Sequence, residues 1–577
     1  MEDRGKKIRQ GGFIVQAGIL AVAGIIVRMI GILYRAPLTQ IIGDEGNGYY
    51  THAYNIYTII LLISSYSIPS AMSKVVSGYL ATNESKNAMK LVRCSLYYVI
   101  VVGGVASLLT FFCAPFLVES RSVPVLRIFT PTIFLSGILG VLRGYFQSFK
   151  TMVPTSISQI MEQILNAVVS ILAAFLLMKF AVVDNVSDLA MRGAMGSALG
   201  TGSGVLIALI FLAFCLFRYH NKIMETLPPD RPHARGLTDK QAFGVILSVV
   251  TPFILSTFIY NFSTSLNQTI YTKIMKLQYS MHQSQIAINY GIFAGKAVVI
   301  ANIPIALSSA MSSAIIPSIS ASFAKGDEDK AKEQIATAVK ATMLIAIPSA
   351  VGIAALAEPI TGLLFPQKQS LSLASMLLVS ISITIIFYSL STLTNAVLQG
   401  MGKVNTPVKH AAAALVVQTI VLVLLLKFTG MGLYSLSIAM VVYSFLMCIL
   451  NQLAVKRALD YRQEVFKTFI IPFYAAALMG TFAHAAYRVI HDLSGSRILS
   501  LFLAVLFSIG VYVILVLRHG GITEKELSRL PKGRMVLSVL KKLRLMYDPE
   551  KSVHRKLQQK RKERNDERIN KNSDDIT

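Results

Sequence analysis

The chain has 577 residues, 54% of them hydrophobic and only 15% charged, which is more apolar surface than a water-soluble domain of this length can cover, so a soluble enzyme is excluded. The formal net charge of +26 does not mark a nucleic-acid binder, because the basic residues sit in short connections and one tail rather than on a solvated face. The cysteines Cys94, Cys113, Cys215 and Cys448 are scattered through apolar runs with no CxxC spacing, so neither a disulfide framework nor a thiolate metal site is expected.

Between polar ends the sequence resolves into about fourteen apolar runs, each long enough to cross ~30 Å of hydrocarbon as a helix. A basic segment, 1–11, precedes the first run, 12–36. Arg28 and Arg35 interrupt that run and no small-residue cleavage site ends it, so it reads as a retained span rather than a signal peptide. Runs at 49–68, 91–117, 125–147, 155–179 and 191–217 complete a first set of six over 12–217. A cytoplasmic connection, 218–241, contains the Pro-rich stretch Leu227-Pro-Pro-Asp-Arg-Pro232. A second set over 242–453 follows, at 242–266, 287–310, 336–357, 373–398, 408–427 and 433–453. Two further runs, 467–489 and 498–517, lead to a basic tail, 518–577. Within the tail, Met535–Met546 has the pattern of an amphipathic helix lying on anionic headgroups, and Lys556–Arg568 is too charged to fold alone.

Lys and Arg set the orientation. They cluster before the first run (Arg4, Lys6, Lys7, Arg9), after the second (Lys86, Lys90, Arg93) and between the twelfth and thirteenth (Lys456, Arg457, Lys467), whereas alternate connections such as the loop Gly43-Asp44-Glu45-Gly46 carry few. Both termini are therefore expected in the cytoplasm. The chain also reads as duplicated: Ile68-Pro-Ser-Ala-Met-Ser73 recurs as Ile303-Pro-Ile-Ala-Leu-Ser308, and Lys150–Pro154 after Gln147 recurs as Lys403–Pro407 after Gln399. Two six-helix halves with two appended helices follow, the arrangement of an alternating-access carrier, which can work as a monomer.

Ionisable residues inside spans mark function by default, since a central Arg or Lys costs on the order of 2.5–3.5 kcal/mol on insertion scales. Arg28 and Arg35, seven residues apart, fall within roughly 20° of one helix face. Lys296 lies about ten residues into the eighth run, and no acidic residue stands one turn away to neutralise it, so its anion must come from elsewhere. Lys74 and Arg143 lie closer to span ends, where topology and snorkelling account for them. Glu162, beside Gln163, is the carboxylate well inside a span; it is expected to pair with Arg143 if the fourth and fifth helices form a hairpin, and otherwise to serve as a proton or cation site. Deep cations outnumber deep anions, so the central space should be electropositive and take an anionic solute. There is no GxxxxGK[ST] loop, HExxH pair or GxSxG turn, the His residues form no ligand cluster, and neither catalytic residues nor a cofactor or metal are expected. Gly200-Thr-Gly-Ser-Gly204 lies in an apolar run, where small residues serve helix packing.

Arg28-Met-Ile-Gly-Ile-Leu-Tyr-Arg35, Ile42-Gly-Asp-Glu-Gly-Asn-Gly-Tyr-Tyr50, Pro69-Ser-Ala-Met-Ser-Lys74, Leu142-Arg-Gly-Tyr-Phe-Gln147 and Ser158-Gln-Ile-Met-Glu-Gln163 together resemble the stage V sporulation protein B family. That family belongs to the polysaccharide-transport branch of the multidrug/oligosaccharidyl-lipid/polysaccharide (MOP) exporters and is similar to MurJ-type lipid II flippases. The resemblance runs from about residue 10 to 517. It implies an all-α, MATE-like membrane protein of fourteen helices with a V-shaped cavity. The implied activity is flipping of a lipid-linked sugar pyrophosphate to the outer leaflet of the bacterial cytoplasmic membrane for peptidoglycan or polysaccharide synthesis. Its partners would be membrane lipids, that substrate and cell-envelope synthesis enzymes. Cavity roles fall by motif on Arg28, Arg35 and Lys296, with Lys74, Arg143, Glu162 and Gln163 in support. The competing expectation on the same fold is a cation-coupled multidrug exporter.

Overall fold

The computed structural model describes residues 19–522 apart from positions 20–21, 25, 32, 67, 150, 183–184, 226, 228, 232–235, 325, 404 and 462. The expectations for 1–11, for the helix at 535–546 and for most of the basic tail lie outside the described residues. All regular elements among the described residues are helices, as hydrocarbon demands of an open chain whose backbone polar groups must be satisfied within each segment.

In chain order they are α1 (Val22–Gly31), α2 (Arg35–Leu61), which runs into a π turn at Leu62–Tyr66, α3 (Ile68–Ala81), α4 (Ser85–Leu117), α5 (Val123–Ser148), α6 (Val153–Lys179) and α7 (Val186–Glu225). The second half comprises α8 (Asp239–Leu277), α9 (Gln283–Ile292), a π turn at Phe293–Ala297, α10 (Val298–Ala324), α11 (Glu328–Ala355), α12 (Ala357–Leu364), α13 (Lys368–Ser382), α14 (Thr384–Gly400), α15 (Asn405–Phe428) and α16 (Leu433–Leu459). Ten described helices are long and apolar enough to cross a membrane, or up to twelve if two bent pairs, α1 with α2 and α13 with α14, each make a span. Ten to twelve of the fourteen expected spans are thus accounted for.

The main departure lies at residues 43–46, expected as a loop. Helix continues through them, and the path breaks only at Gly43, whose φ of 70° and ψ of 178° lie outside helical space. Glycine adopts that conformation at no steric cost. The break redirects the chain, and the residues after it, Asp44 to Gly48, meet the second half of the protein.

The two halves repeat one packing scheme. In the first, α3 packs on α4 and α5, α5 on α7, and α6 on α7; in the second, α10 packs on α11 and α14, α14 on α16, and α15 on α16. The repeated Pro69 and Pro304 motifs fall at equivalent places, in α3 and α10. Glycines set the closest approach within the first half, where Gly196 meets Ala174, Gly200 meets Ser170 and Gly204 meets the Glu162 backbone. The Gly200–Gly204 stretch is therefore a helix-packing surface between α6 and α7. Outward faces are apolar, as lipid requires: Phe112 and Phe116 of α4 are 70% and 90% exposed.

The described chain divides into two compact units, Met1–Arg462 and Gln463–Thr577. In the second, a π turn at Phe466–Ile470 leads into α17 (Ile471–Ser494), which packs on α18 (Arg497–Arg518). Gly495, in the left-handed region at φ 65°, ends α17.

Candidate functional site

The seam between the halves is built from α1 and α2 on one side and α8, α9 and α10 on the other. Its tightest part is glycine on glycine. A Cβ at Gly48 would overlap the Ala287 carbonyl, one at Gly291 the Asp44 carbonyl, and one at Gly295 the Asn47 amide. Gly291-Ile-Phe-Ala-Gly295 has the small-xxx-small spacing that lets helix backbones approach. Polar groups tie the same surfaces together. Asn55 Nδ2 donates to Gln268 Oε1 at 2.5 Å, Gln367 Nε2 to the Thr39 carbonyl at 2.9 Å, and Asn47 Nδ2 to the Gly291 carbonyl at 3.4 Å.

Lys296 sits at the centre of this contact. The π turn at Phe293–Ala297 widens the helix there, a device common where a side chain must be re-aimed. Its side chain is 1% exposed, and Nζ lies 2.6 Å from Asp44 Oδ1, 2.6 Å from Ser370 Oγ and 5.9 Å from the centre of the Phe365 ring. The anion missing from its own helix is therefore Asp44, from the other half of the protein. In this conformation Lys296 does not line an open electropositive space. It is a buried, neutralised ammonium that locks α2 to the π turn between α9 and α10.

Arg28 is exposed, and its Nη1 donates to the Ala306 carbonyl of α10 at 2.7 Å. That contact falls ten residues beyond Lys296, about 15 Å farther along the helical path. Arg28 makes no ion pair among the described residues. One donor of its guanidinium fork is spent on a backbone oxygen, and the others have no carboxylate partner. Arg35 departs from the single cationic stripe. It is half-buried, with Tyr34, Tyr50 and Tyr54 as its neighbours. Tyr50 and Tyr54 belong to an aromatic group in which Tyr57 stacks on Phe129 at 4.6 Å between ring centres.

Arg143 and Glu162 come together as α5 and α6 pack, Nη2 to Oε2 at 2.6 Å, and Arg143 Nε also donates to Ser158 Oγ at 3.1 Å. Gln163 packs its amide against Gly31 of α1, and so touches the helix that carries Arg28. Lys74 is exposed on α3 and joins none of these groups. Among the described residues no cluster of three His, Cys, Asp or Glu side chains could hold a metal ion.

Sequence reasoning passed over Asp44, Asn47, Asn55, Gln268 and Ser370. The Gly291/Gly295 spacing was the one available signal for the seam. Asp44 was masked by its place in a stretch read as an exposed loop.

Residues 15–323 match the family model described as "Polysaccharide biosynthesis protein", and residues 294–425 match the MatE model. The chain is 26% identical over 508 residues to the lipid II flippase MurJ of Bacillus subtilis (strain 168), covering 82% of this chain and 87% of that one. It is 24% identical to stage V sporulation protein B of the same organism, over 90% and 98% of the two chains. Among solved structures, the inward closed conformation of lipid II flippase MurJ aligns with a TM-score of 0.61 at 14% identity, over 87% of this chain and 97% of that one. An inward-facing MATE multidrug transporter aligns at 0.56 and 15% identity, over 78% and 98%. With ten to twelve candidate membrane spans and the fold of the MATE and MurJ structures, the chain belongs to the polysaccharide biosynthesis protein family.

Proposed function

We propose that the chain flips a lipid-linked oligosaccharide of the undecaprenyl-pyrophosphate type across the bacterial cytoplasmic membrane, from inner to outer leaflet, by alternating access. The observation that carries the reading is Arg28: a guanidinium in a membrane span, at the seam between the halves, with no carboxylate to neutralise it among the described residues. A carrier of organic cations would want the opposite charge there. The relative named as a lipid II flippase supports the same substrate class.

A polyprenyl chain can remain in lipid while its pyrophosphate and sugars cross between the halves, so the protein must mainly compensate headgroup charge. Residues 12–217 and 242–453 form the two moving lobes, with both termini in the cytoplasm. The Asp44–Lys296 contact then closes the outer end. Arg28 and Arg35 receive the pyrophosphate from the inner side, and as the outer end opens Lys296 exchanges Asp44 for the headgroup. Lys296 serves as a point charge without the guanidinium fork, while Lys74, Arg143, Glu162 and Gln163 support the cavity wall. The duplicated chain acts as a monomer, and enzymes of envelope synthesis consume its product. The competing drug-exporter reading needs a carboxylate free to exchange a proton or cation, and Glu162 is instead engaged by Arg143 at 2.6 Å.

The test is transfer of a fluorescent lipid-linked oligosaccharide in proteoliposomes, paired with precursor accumulation in the inner leaflet of depleted cells. The wild type transfers the lipid, and Arg28→Ala slows transfer at least tenfold with normal protein levels. No transfer by the wild type, together with unchanged precursor on depletion, overturns the proposal.

A further inference from the structure

A cavity of about 920 Å³ lies away from the seam, between the first turns of α4, the end of α7 and the start of α8. Its walls are held in place by backbone contacts from the connection between the halves. The Arg231 amide donates to the Asn83 carbonyl at 2.8 Å, the Leu237 amide to Asn87 Oδ1 at 2.9 Å, and the Lys86 amide to Asp230 Oδ1 at 3.1 Å. The capped start of α8, where Thr238 and Gln241 bond reciprocally, fixes the third wall.

Lys86, Lys90 and Arg93 line the cavity from one stripe of α4, four and three residues apart. Lys90 Nζ is bound to Asp239 Oδ1 at 2.9 Å and bridges α4 to α8. Lys86 approaches Asp230 at 3.6 Å, yet its side chain stays 92% exposed. Arg93 is exposed and in no ion pair among the described residues. The lining thus holds three cations against Asp239, and the second carboxylate nearby, Asp230, holds Lys86 only loosely at 3.6 Å.

The same stripe then changes character. Tyr97 is 65% exposed one turn beyond Arg93, followed by Val101 at 62%, Val105 at 52%, Leu108 at 62% and Phe112 at 70%. From Val101 to Phe112 the apolar track is about 16 Å long, close to half of the ~30 Å hydrocarbon thickness. A basic patch, then an amphipathic ring, then one leaflet's depth of apolar surface is the outline of a single lipid molecule. A free phosphate would use only the first part.

We propose that this cavity binds the headgroup of an anionic diacyl phospholipid, with Lys86 and Arg93 on the phosphate and the acyl chains along Tyr97 to Phe112. Basic pockets between membrane helices recognise anionic headgroups by this chemistry. Lys90 is a wall, not a ligand, because its charge is taken by Asp239.

The experiment uses the full chain in bilayers of phosphatidylglycerol and phosphatidylcholine, with retained lipid read by native mass spectrometry. Wild-type protein retains phosphatidylglycerol in excess. Lys86→Gln/Arg93→Gln lowers that enrichment roughly five- to twenty-fivefold, at about fivefold for each cation near the surface, with an unchanged melting temperature in phosphatidylcholine. The charge-keeping Lys86→Arg/Arg93→Lys variant retains it, and so does Lys456→Gln/Arg457→Gln at the end of α16. Equal enrichment in wild type and Lys86→Gln/Arg93→Gln overturns the proposal. An equal loss in the Lys456/Arg457 variant does so as well, reducing the effect to a general positive field. Displacement of the lipid by millimolar inorganic phosphate overturns it in favour of a free-phosphate site.

Discussion

Neutralising one member of the Asp44–Lys296 pair should open the seam, and the size of the effect can be worked from burial. Lys296 is 1% exposed and Asp44 14%, so Asp44→Asn leaves an ammonium with Ser370 Oγ as its remaining polar contact. Removing one partner of a buried pair typically costs about 3–5 kcal/mol, because the remaining charge is stranded. That is roughly a hundredfold or more in the equilibrium between closed and open seams. Lys296→Met should cost less, since Asp44 keeps some access to water. The double variant Asp44→Asn/Lys296→Met strands no charge, and should recover all but about 1 kcal/mol of the closed population, a coupling energy of at least ~2 kcal/mol. Nitroxide labels at Val186 and Gln285, exposed in the first turns of α7 and α9 on opposite sides of the seam, would report the closed and open distances by pulsed electron resonance in a variant with the four native cysteines replaced by alanine. Additive single-variant effects, or a double variant as open as Asp44→Asn, would refute the reasoning. Either would mean that glycine packing alone holds the seam.

Gly291→Ala should force α2 and α9 apart at the cost of about 1–3 kcal/mol of overpacking, seen as a larger open population with the same labels. Asn55→Ala leaves the 2%-exposed Gln268 without its 2.5 Å donor, which should cost about 1–3 kcal/mol in thermal unfolding; Asn55→Asp, which removes the donor but keeps the shape, should be at least as damaging. Glu162→Gln keeps an acceptor for Arg143 and should leave transport within about twofold, whereas loss of transport with normal protein levels would revive a coupling role for this carboxylate. Burial pushes the Glu119 carboxyl, in the connection after α4, above its usual range, against the opposing influences of Gln283 and Lys276. The folded protein therefore binds that proton more tightly than the unfolded chain, and stability should fall as pH rises from the ordinary carboxylate range through the raised folded value. Glu119→Gln should flatten the fall of the melting temperature as pH rises above the ordinary carboxylate range.

The long apolar runs were legible because hydrocarbon permits one solution to backbone hydrogen bonding, and a run of about 20 apolar residues already states it. The duplication was legible for a related reason: the Pro69 and Pro304 motifs lie in α3 and α10, and the packing of α3 on α5 and of α10 on α14 repeats. What stayed hidden depends on partners distant in sequence. Asp44 and Lys296 are 252 positions apart, and nothing local distinguishes a carboxylate at a helix break from one in a solvated loop. Gly43 decided that case, since a single residue at positive φ redirects a helix without ending it. The deep arginines were visible as costly residues, but their environments were not. Arg35 rests on tyrosines and Arg28 on a carbonyl of the other half, although their spacing places them on one face.

The ion pair and the free guanidinium are two parts of one energetic requirement. A buried pair contributes little net stability over an apolar substitute, so its retention argues for a role in choosing between conformations. When the seam opens, Lys296 exchanges Asp44 for water, and the lost attraction of the pair is a cost to the open form. Under the proposed function, an anionic headgroup brought to the seam by Arg28 would offset that cost by taking the place of Asp44. The open form would then be accessible mainly with cargo aboard, and the empty carrier would stay closed at this end. Coupling of opening to loading would then need no further device than two cations on the seam, Lys296 paired with Asp44 and Arg28 resting on the Ala306 carbonyl ten residues farther along the chain. It follows that Asp44→Asn should raise seam opening without substrate, and that a substrate-like pyrophosphate lipid should then shift the equilibrium less than it shifts the wild type. An equal shift in both would separate the lock from the load.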